Sequence, residues 1–396
     1  MLDLRNEILE LKDEVISLRR EIHMYPEVGF EEHRTSSLIS SYLKNVGLEV
    51  EESIAETGVV GLLFGKEKGK TVMLRADMDA LPISEANEVP YKSRNAGVMH
   101  ACGHDGHTAM LLCAAKILSR HADLLGGNVK FVFQPSEERD PGGAIKLIEA
   151  GVLENPKVNF TFGLHLSNLF PVSSIALRKG IFMAQADRFS ILIKGIGGHG
   201  AYPHLLVDPI LVASNIIMAL QSIVSRETSP SESVVVSIGE LHSGSTFNAI
   251  PETAYIEGTV RTLNKLSART VPESIERIAN NIATAYRATI EFEYNTGYPP
   301  LLNNEKMTEF IMEVATGIHS LRIIEAPISM GGEDMSYYLE KVPGAFFWLG
   351  SSNKEKGIDK PLHSPYFDID EDALLTGIEM HVNIALKIFG FDEDSF

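Results

Sequence analysis

The chain has 396 residues and carries 35 Lys and Arg against 53 Asp and Glu, a net charge of −18. That balance repels phosphate backbones and excludes nucleic acid as a natural partner, while the length accommodates two or three domains of roughly 100–200 residues. Two cysteines exclude a disulfide scaffold.

The first residues are charged and contain no apolar core of signal-peptide length. No uninterrupted apolar stretch approaches the ~18 residues that cross a bilayer, so the expectation is a cytoplasmic protein without a membrane partner. Leu4, Ile8, Leu11, Val15, Leu18 and Ile22 recur at helical spacing and predict one amphipathic helix over 4–24. Its polar face is mixed in charge, which disfavours a membrane-surface role. A second helix is expected near 31–46. Strand-like runs follow at Val59–Phe64, Thr71–Arg75, Val129–Phe133 and Phe160–His165, with helical stretches at 107–119 and 143–150. Strands alternating with helices predict an α/β fold with a largely parallel, helix-covered sheet. Ligands gather at the carboxyl ends of such strands, and Asp77, Asp79, Glu137, Glu138 and His165 all sit at or just beyond strand ends.

Residues 183–295 read differently. Strands at Phe189–Lys194, Ser233–Ile238, Ala254–Arg261 and Thr289–Tyr294 alternate with helices at Pro209–Ser225 and Pro272–Tyr286. The order β-α-β-β-α-β predicts a ferredoxin-like α+β domain. It is expected as an insertion, with residues 1–182 and 296–396 forming the two parts of the first domain. A strand at Ala345–Leu349 and a polar loop then lead to His363.

The run Met99-His100-Ala101-Cys102-Gly103-His104-Asp105-Gly106-His107 concentrates the chemistry. Thiolate, imidazole and carboxylate are the donors that hold zinc and similar divalent ions. Cys102 also reads as a buried thiol, or as a nucleophile activated by a nearby histidine; the surrounding histidines and carboxylates favour the metal. Cys113, inside an apolar helix, reads as a small buried hydrophobe. His107 is expected to begin that helix, and it and His100 read as loop-ordering or supporting groups. Glu137 and Glu138 offer one ligand and one general base, against the plainer reading of a solvated acidic loop. His199, flanked by glycines, reads as an accessible side chain, or its glycines as a simple turn. Arg261 reads as a carboxylate partner or as a strand-end surface arginine. Gly331-Gly332-Glu333-Asp334 lacks the lysine of a phosphate loop; helix capping and a wall of the site explain it better.

Arg75-Ala76-Asp77-Met78-Asp79-Ala80-Leu81-Pro82, the Cys102 run, Gln134-Pro135-Ser136-Glu137-Glu138, Gly163-Leu164-His165, Gly198-His199-Gly200-Ala201, Gly331-Gly332-Glu333-Asp334 and Leu362-His363-Ser364-Pro365 occur in order along nearly the whole chain. Together they resemble the M20 metallopeptidase family, in its amidohydrolase branch of N-acyl-amino-acid, hippurate and auxin-conjugate hydrolases. The resemblance implies Cys102, His104, Glu138, His165 and His363 as ligands of two divalent ions per subunit. Zinc or manganese is expected, with cobalt and nickel also compatible with these donors. It implies Glu137 as general base, and His199 as an oxyanion donor that reaches the site of a partner subunit in a homodimer or higher oligomer. Asn248 and Arg261 join it in binding substrate. The implied reaction is hydrolysis of N-acetyl, N-benzoyl or similar amino acids. A metallo-carboxypeptidase or dipeptidase is the alternative, and a catalytically silent binding protein a distant one. In the better-known peptidase branch a histidine stands where Arg75 lies, and an aspartate bridges the ions. The bridging ligand is therefore left open here, with Asp77 and Asp79 reading as support for the ligands or as caps of the turn at Leu81-Pro82.

Overall fold

The computed structural model describes residues 4–66 and 69–391. Helices α1 (Arg5–Glu10), α2 (Lys12–Met24) and α3 (His33–Asn45) precede strands β1 (Glu49–Ile54), β2 (Gly58–Leu63) and β3 (Thr71–Asp77). Then come α4 (His104–Arg120), β4 (Asn128–Gln134), α5 (Gly143–Glu149), β5 (Phe160–Pro171), β6 (Ser174–Leu177) and β7 (Gly180–Met183). The middle of the chain forms β8 (Gln185–Lys194), β9 (Gly198–His199), α6 (Pro209–Ser222), β10 (Val234–Ser243), β11 (Ala249–Ile250), β12 (Thr253–Thr262), α7 (Lys265–Ala285) and β13 (Thr289–Tyr298). The last stretch holds β14 (Leu301–Asn303), α8 (Glu305–Thr316), β15 (Arg322–Glu325), α9 (Met335–Leu339), β16 (Gly344–Ser352) and α10 (Asp372–Lys387).

The chain divides into two compact units. One comprises Met183–Leu301 with Ile328–Glu333, and the other takes the remainder. The second of these is built on an eight-stranded sheet of order β1-β2-β4-β3-β5-β16-β6-β15. Its centre is parallel: β3 lies between β4 and β5, and β16 follows β5. Antiparallel pairs occur towards the edges, where β1 meets β2, β2 meets β4, and β16 meets β6. The central strands are buried along their whole length, as sheets covered by helices on both faces require. Helix α4 packs against β3, β5, α2 and α10, with every residue from His104 to Ala115 buried. Each large aliphatic side chain so buried contributes about 1.5–3 kcal/mol.

Two local expectations need correction, and one strand was not expected. The single helix over 4–24 is two helices meeting at Leu11, whose N–H turns back to Ile8 O before Val15 N resumes the ladder on Leu11 O. Strand β1 has a sequence, Glu-Val-Glu-Glu-Ser-Ile, that carries no strand signal; its charges suit an exposed sheet edge. The helix expected from Pro272 starts at Lys265, where the Asn264 side chain caps Ser267 N at 2.9 Å. Proline in a helix interior removes a hydrogen bond, yet burial of Val271, Ile275 and Ala279 carries the helix through it.

The other unit is an antiparallel sheet of order β10-β12-β8-β13, with α6 and α7 packed on it. In order along the chain its strands stand second, third, first and fourth, the ferredoxin-like arrangement. Phe189, Ile191, Ile193, Ile216, Ile256 and Ile275 fill its core. Two helical stretches, Pro209–Glu227 and Asp372–Gly390, are long and apolar enough to cross a membrane by length and composition, which reading for uninterrupted apolar runs did not reveal. Helix α6 buries Val212, Ile216 and Leu220 but leaves Ile210, Leu211 and Met218 exposed, and α10 packs on α4 and α8.

Candidate metal centre

Because β3, β4 and β5 run parallel, their carboxyl ends come to one edge of the sheet. Asp77 closes β3 and Gln134 closes β4. His165 stands in β5 opposite Trp348 of β16. Helix α4 begins at His104, three residues earlier than expected, so His107 lies inside the helix. Gly103 precedes it with φ 88°, a left-handed turn that glycine enters without strain. That turn sets Cys102 and His104 against His165, which stands in the middle of β5 and not at its end as expected, because the strand runs on to Pro171.

The five predicted ligands meet here. Cys102, His104 and His165 offer donor atoms all within 4.8 Å of one another, and so do Cys102, Glu138 and His363. Cys102 belongs to both sets. Its Sγ is 3.3 Å from His165 Nε2, and His363 Nε2 is 3.1 Å from Glu138 Oε1. Glu137 joins Glu138 and His104 in a third such group. The His104–His165 side is buried, whereas the His363 side chain is half exposed. His363 adopts φ 64°, and its N–H donates to Ala101 O at 2.8 Å, which ties the late loop to the Cys102 run. A non-glycine residue held in this conformation is strained, a feature that clusters at functional sites.

Hydrogen bonds fix the ring orientations. His104 Nδ1 donates to the carbonyl of Asp79 at 2.9 Å, and His165 Nδ1 donates to that of Leu166 at 2.7 Å. A carbonyl only accepts, so in the neutral rings each Nε2 carries the lone pair that a metal takes. Among the described residues His104 Nε2 is buried without a hydrogen-bond partner, a costly state for a polar atom unless a cation sits beside it. Burial pushes the Cys102 thiol well up, and the charges of Glu138 and Glu137 push it further. Burial lowers His104, but Asp77, Asp79 and Glu138 outweigh it and raise it to about 10. Burial also holds His165 well below its ordinary value. The surplus of negative charge at His104 therefore attracts positive charge, and the thiol ionises only beside a cation. These donors fit divalent metal. Neither thiolate nor imidazolium is favoured for the Cys102–His165 pair itself.

The neighbouring groups have other duties. His107 Nε2 accepts from Leu166 N at 2.8 Å, and its Nδ1 donates to Asp77 Oδ1 at 2.5 Å. Both nitrogens are thus used, and His107 orders β3, α4 and β5. Asp77 Oδ2 accepts from Arg75 at 2.6 Å, which engages its second oxygen. Arg75 continues to Gln134 Oε1 and Asp334 Oδ1 in a buried network. Asp334 was expected to cap a helix; its carboxylate makes no cap bond to α9 and instead accepts from Arg75, Gln134 and Ala144 N. Asp79 caps no turn at Leu81-Pro82 either: its carboxylate accepts the N–H groups of Glu137 at 2.9 Å and Glu138 at 3.0 Å. His100 is buried without a partner for either nitrogen among the described residues, and burial pushes it down to about 3.

His199 and Asn248 lie in the ferredoxin-like unit, where β9 pairs with β11. His199 sits opposite Ala249, and Gly200 N donates to Asn248 O at 2.9 Å. His199 Nδ1 accepts from Ala201 N at 3.1 Å, so the neutral ring carries its proton on Nε2, an exposed donor. Arg261, half-buried on β12, faces Ala186 and Val235 across the sheet.

Sequence reasoning missed three groups behind this centre. Arg19, fully buried on α2, pairs with Asp105 at 2.7 Å inside the first turn of α4, and His23 bonds the same oxygen at 2.8 Å. Glu32 holds the loop before Glu137. A charged residue on an amphipathic helix reads as solvated, and a Glu just before a helix reads as a cap; only tertiary placement reveals the difference.

Residues 73–387 match the model of peptidase family M20/M25/M40. The chain is 41% identical over 387 residues to thermostable carboxypeptidase 1 of Saccharolobus solfataricus, covering 97% of this chain and 98% of that one. It is 38% identical over 402 residues to the N-acetyl-L-cysteine deacetylase of Bacillus subtilis, covering 98% and 94%. Among solved structures, the YXEP protein of Bacillus subtilis, described as a dinuclear metal-binding peptidase of family M20, superposes with a TM-score of 0.82 at 36% identity over 96% of this chain and 99% of that one. The chain belongs to peptidase family M20/M25/M40 and is a metal-dependent hydrolase.

Proposed function

We propose that the chain hydrolyses the amide bond of N-acyl amino acids at a centre of two divalent ions, zinc or manganese, with cobalt and nickel as alternatives. The observation that carries this reading is the pair of donor triads that share Cys102. Cys102, His104 and His165 would hold one ion, Cys102, Glu138 and His363 the other, with the thiolate as the common ligand. Asp77, whose two oxygens already accept from Arg75 and His107, is the less favoured bridging ligand. When bound, the ions polarise the scissile carbonyl and lower the pKa of water towards ~7.

The chain's own groups supply the rest. Glu137 removes a proton from the attacking water and returns it to the amine nitrogen as the C–N bond breaks, leaving a carboxylate and a free amino acid. The Nε2–H of His199 hydrogen-bonds the oxygen of the tetrahedral intermediate. Asn248 and the fork of Arg261 hold the substrate carboxylate.

His199 comes from a partner subunit in this reading. Ile210, Leu211 and Met218 of α6 are exposed, Met218 by 74%, and Phe247 beside Asn248 is wholly exposed. Apolar side chains in this number on one small unit favour an interface, and β10 is an open sheet edge beside α6. A homodimer formed on that face covers both. A free cysteine ligand suits the reducing cytoplasm, where we place the enzyme.

A carboxypeptidase or dipeptidase differs only on the acyl side. Hydrolysis rates for N-acetyl-, N-benzoyl- and peptidyl-amino acids, each with added zinc, manganese, cobalt or nickel, separate the readings. Preference for simple acyl groups supports the amidohydrolase; preference for peptides overturns it in favour of the peptidase; no turnover with any metal leaves a binding protein.

A further inference from the structure

The loop that carries Glu137 is gripped by a carboxylate outside every candidate ligand cluster among the described residues. Glu32, just before α3, is fully buried and makes no cap bond to its own helix. It accepts from Thr57 Oγ1 at 2.5 Å and from Ser136 N at 2.9 Å. Asp79 accepts the next two amides of the same loop, those of Glu137 and Glu138. Three consecutive N–H groups thus end on two buried carboxylates.

Ser136 has φ 50°, a conformation costly for a residue with a Cβ. The surroundings leave it no slack. A Cβ on Gly29 would lie 2.5 Å from Ser136 Oγ, and one on Gly143 would lie 1.8 Å from Pro135 O. Burial pushes the Glu32 carboxyl up to about 7 against the pull of the Thr57 bond, and nearby Asp79 adds to the rise. Burying an acid beside another acid costs stability, and one of its two side-chain partners is the peptide leading into Glu137.

We propose that Glu32 is a positioning residue: through the Ser136 amide it fixes the loop and orients the Glu137 carboxylate. The inference rests on Glu137 being the general base, as proposed above. A misplacement of about 1 Å at a reacting group costs about 10²-fold in rate.

The test is a kinetic cycle with metal analysis on the metal-loaded enzyme. Glu32→Ala should lower kcat by about 10- to 100-fold, with KM and the metal-to-protein ratio unchanged. Glu32→Gln should restore most of kcat, because its amide oxygen accepts from Ser136 N while its NH₂ donates to Thr57 Oγ1. In a Glu137→Gln background, Glu32→Ala should cost nothing further. Metal loss in Glu32→Ala, a change in KM alone, or an independent loss in the Glu137→Gln background would overturn the proposal. If Glu137→Gln alone keeps full activity, the general-base assignment fails instead, and the two failures are told apart. Should Glu32→Ala not fold, Glu32→Asp, one methylene shorter, carries the same test: a lowered kcat with metal retained supports the role, and an unchanged kcat overturns it.

Discussion

The carbonyl oxygen of Asp79 takes the Nδ1–H of His104 at 2.9 Å, so that in the neutral ring the His104 lone pair faces Glu138 Oε1, 4.0 Å away. The carboxylate of the same aspartate holds the backbone of Glu137 and Glu138. One residue therefore sets the tautomer of a ligand and the placement of the acidic pair opposite it. Outer partners of this kind typically matter 10- to 100-fold to metal affinity or activity, roughly speaking.

Glu137 is the group asked to move protons, and Glu137→Gln removes that capacity while keeping the shape. Turnover should fall by about 10²–10⁴-fold, with the metal content and the unfolding midpoint unchanged. A variant that loses metal would make Glu137 a ligand.

Delivery of His199 by a partner is tested by subunit mixing. Inactive Glu137→Gln and inactive His199→Ala are combined under conditions where exchange is demonstrated. In a mixed dimer one site carries both defects and the other none, so activity should return in part. Exchange without any return of activity would mean that His199 works within its own chain or not at all.

His381 on α10 is buried without a partner for either nitrogen among the described residues, and burial pushes it from 6.5 down to about 3. Between those values the unfolded chain binds a proton that the folded chain refuses. The part of the stability that depends on His381 is therefore complete above about pH 6.5 and is lost as pH falls towards 3. His381→Leu should flatten this decline by about 1 kcal/mol per pH unit, the order expected for one proton. Urea unfolding of both proteins between pH 6.5 and 4 measures it, and parallel slopes would refute the assignment.

Much of this was legible in the sequence. Parallel strands announced themselves as short apolar runs, with Asp77, Asp79, Glu137 and Glu138 at or just beyond their ends; the ligand set of Cys102, His104, Glu138, His165 and His363 came from the resemblance to the M20 family. The duties of their neighbours could not be read in either way. Whether His107 binds metal depends on which lone pairs are already used, and that of its Nε2 is taken by Leu166 N, 59 positions away in the chain. The start of α4 was misplaced because Gly103 supplies a left-handed turn that spacing does not encode. Pro272 hid the first turns of α7, since local preference argues for a boundary that tertiary burial overrides.

The most direct test of the account is the metal-to-protein ratio, measured by plasma mass spectrometry after dialysis, of the wild type, His165→Ala, His363→Ala and Cys102→Ser. A thiolate shared between two ions predicts two equivalents in the wild type and loss of one in each histidine variant. Cys102→Ser should weaken both ions, and in the wild type Cys102 should resist alkylation until a chelator is added. A single equivalent in the wild type, or a Cys102→Ser protein that keeps both ions through the same dialysis, would contradict it.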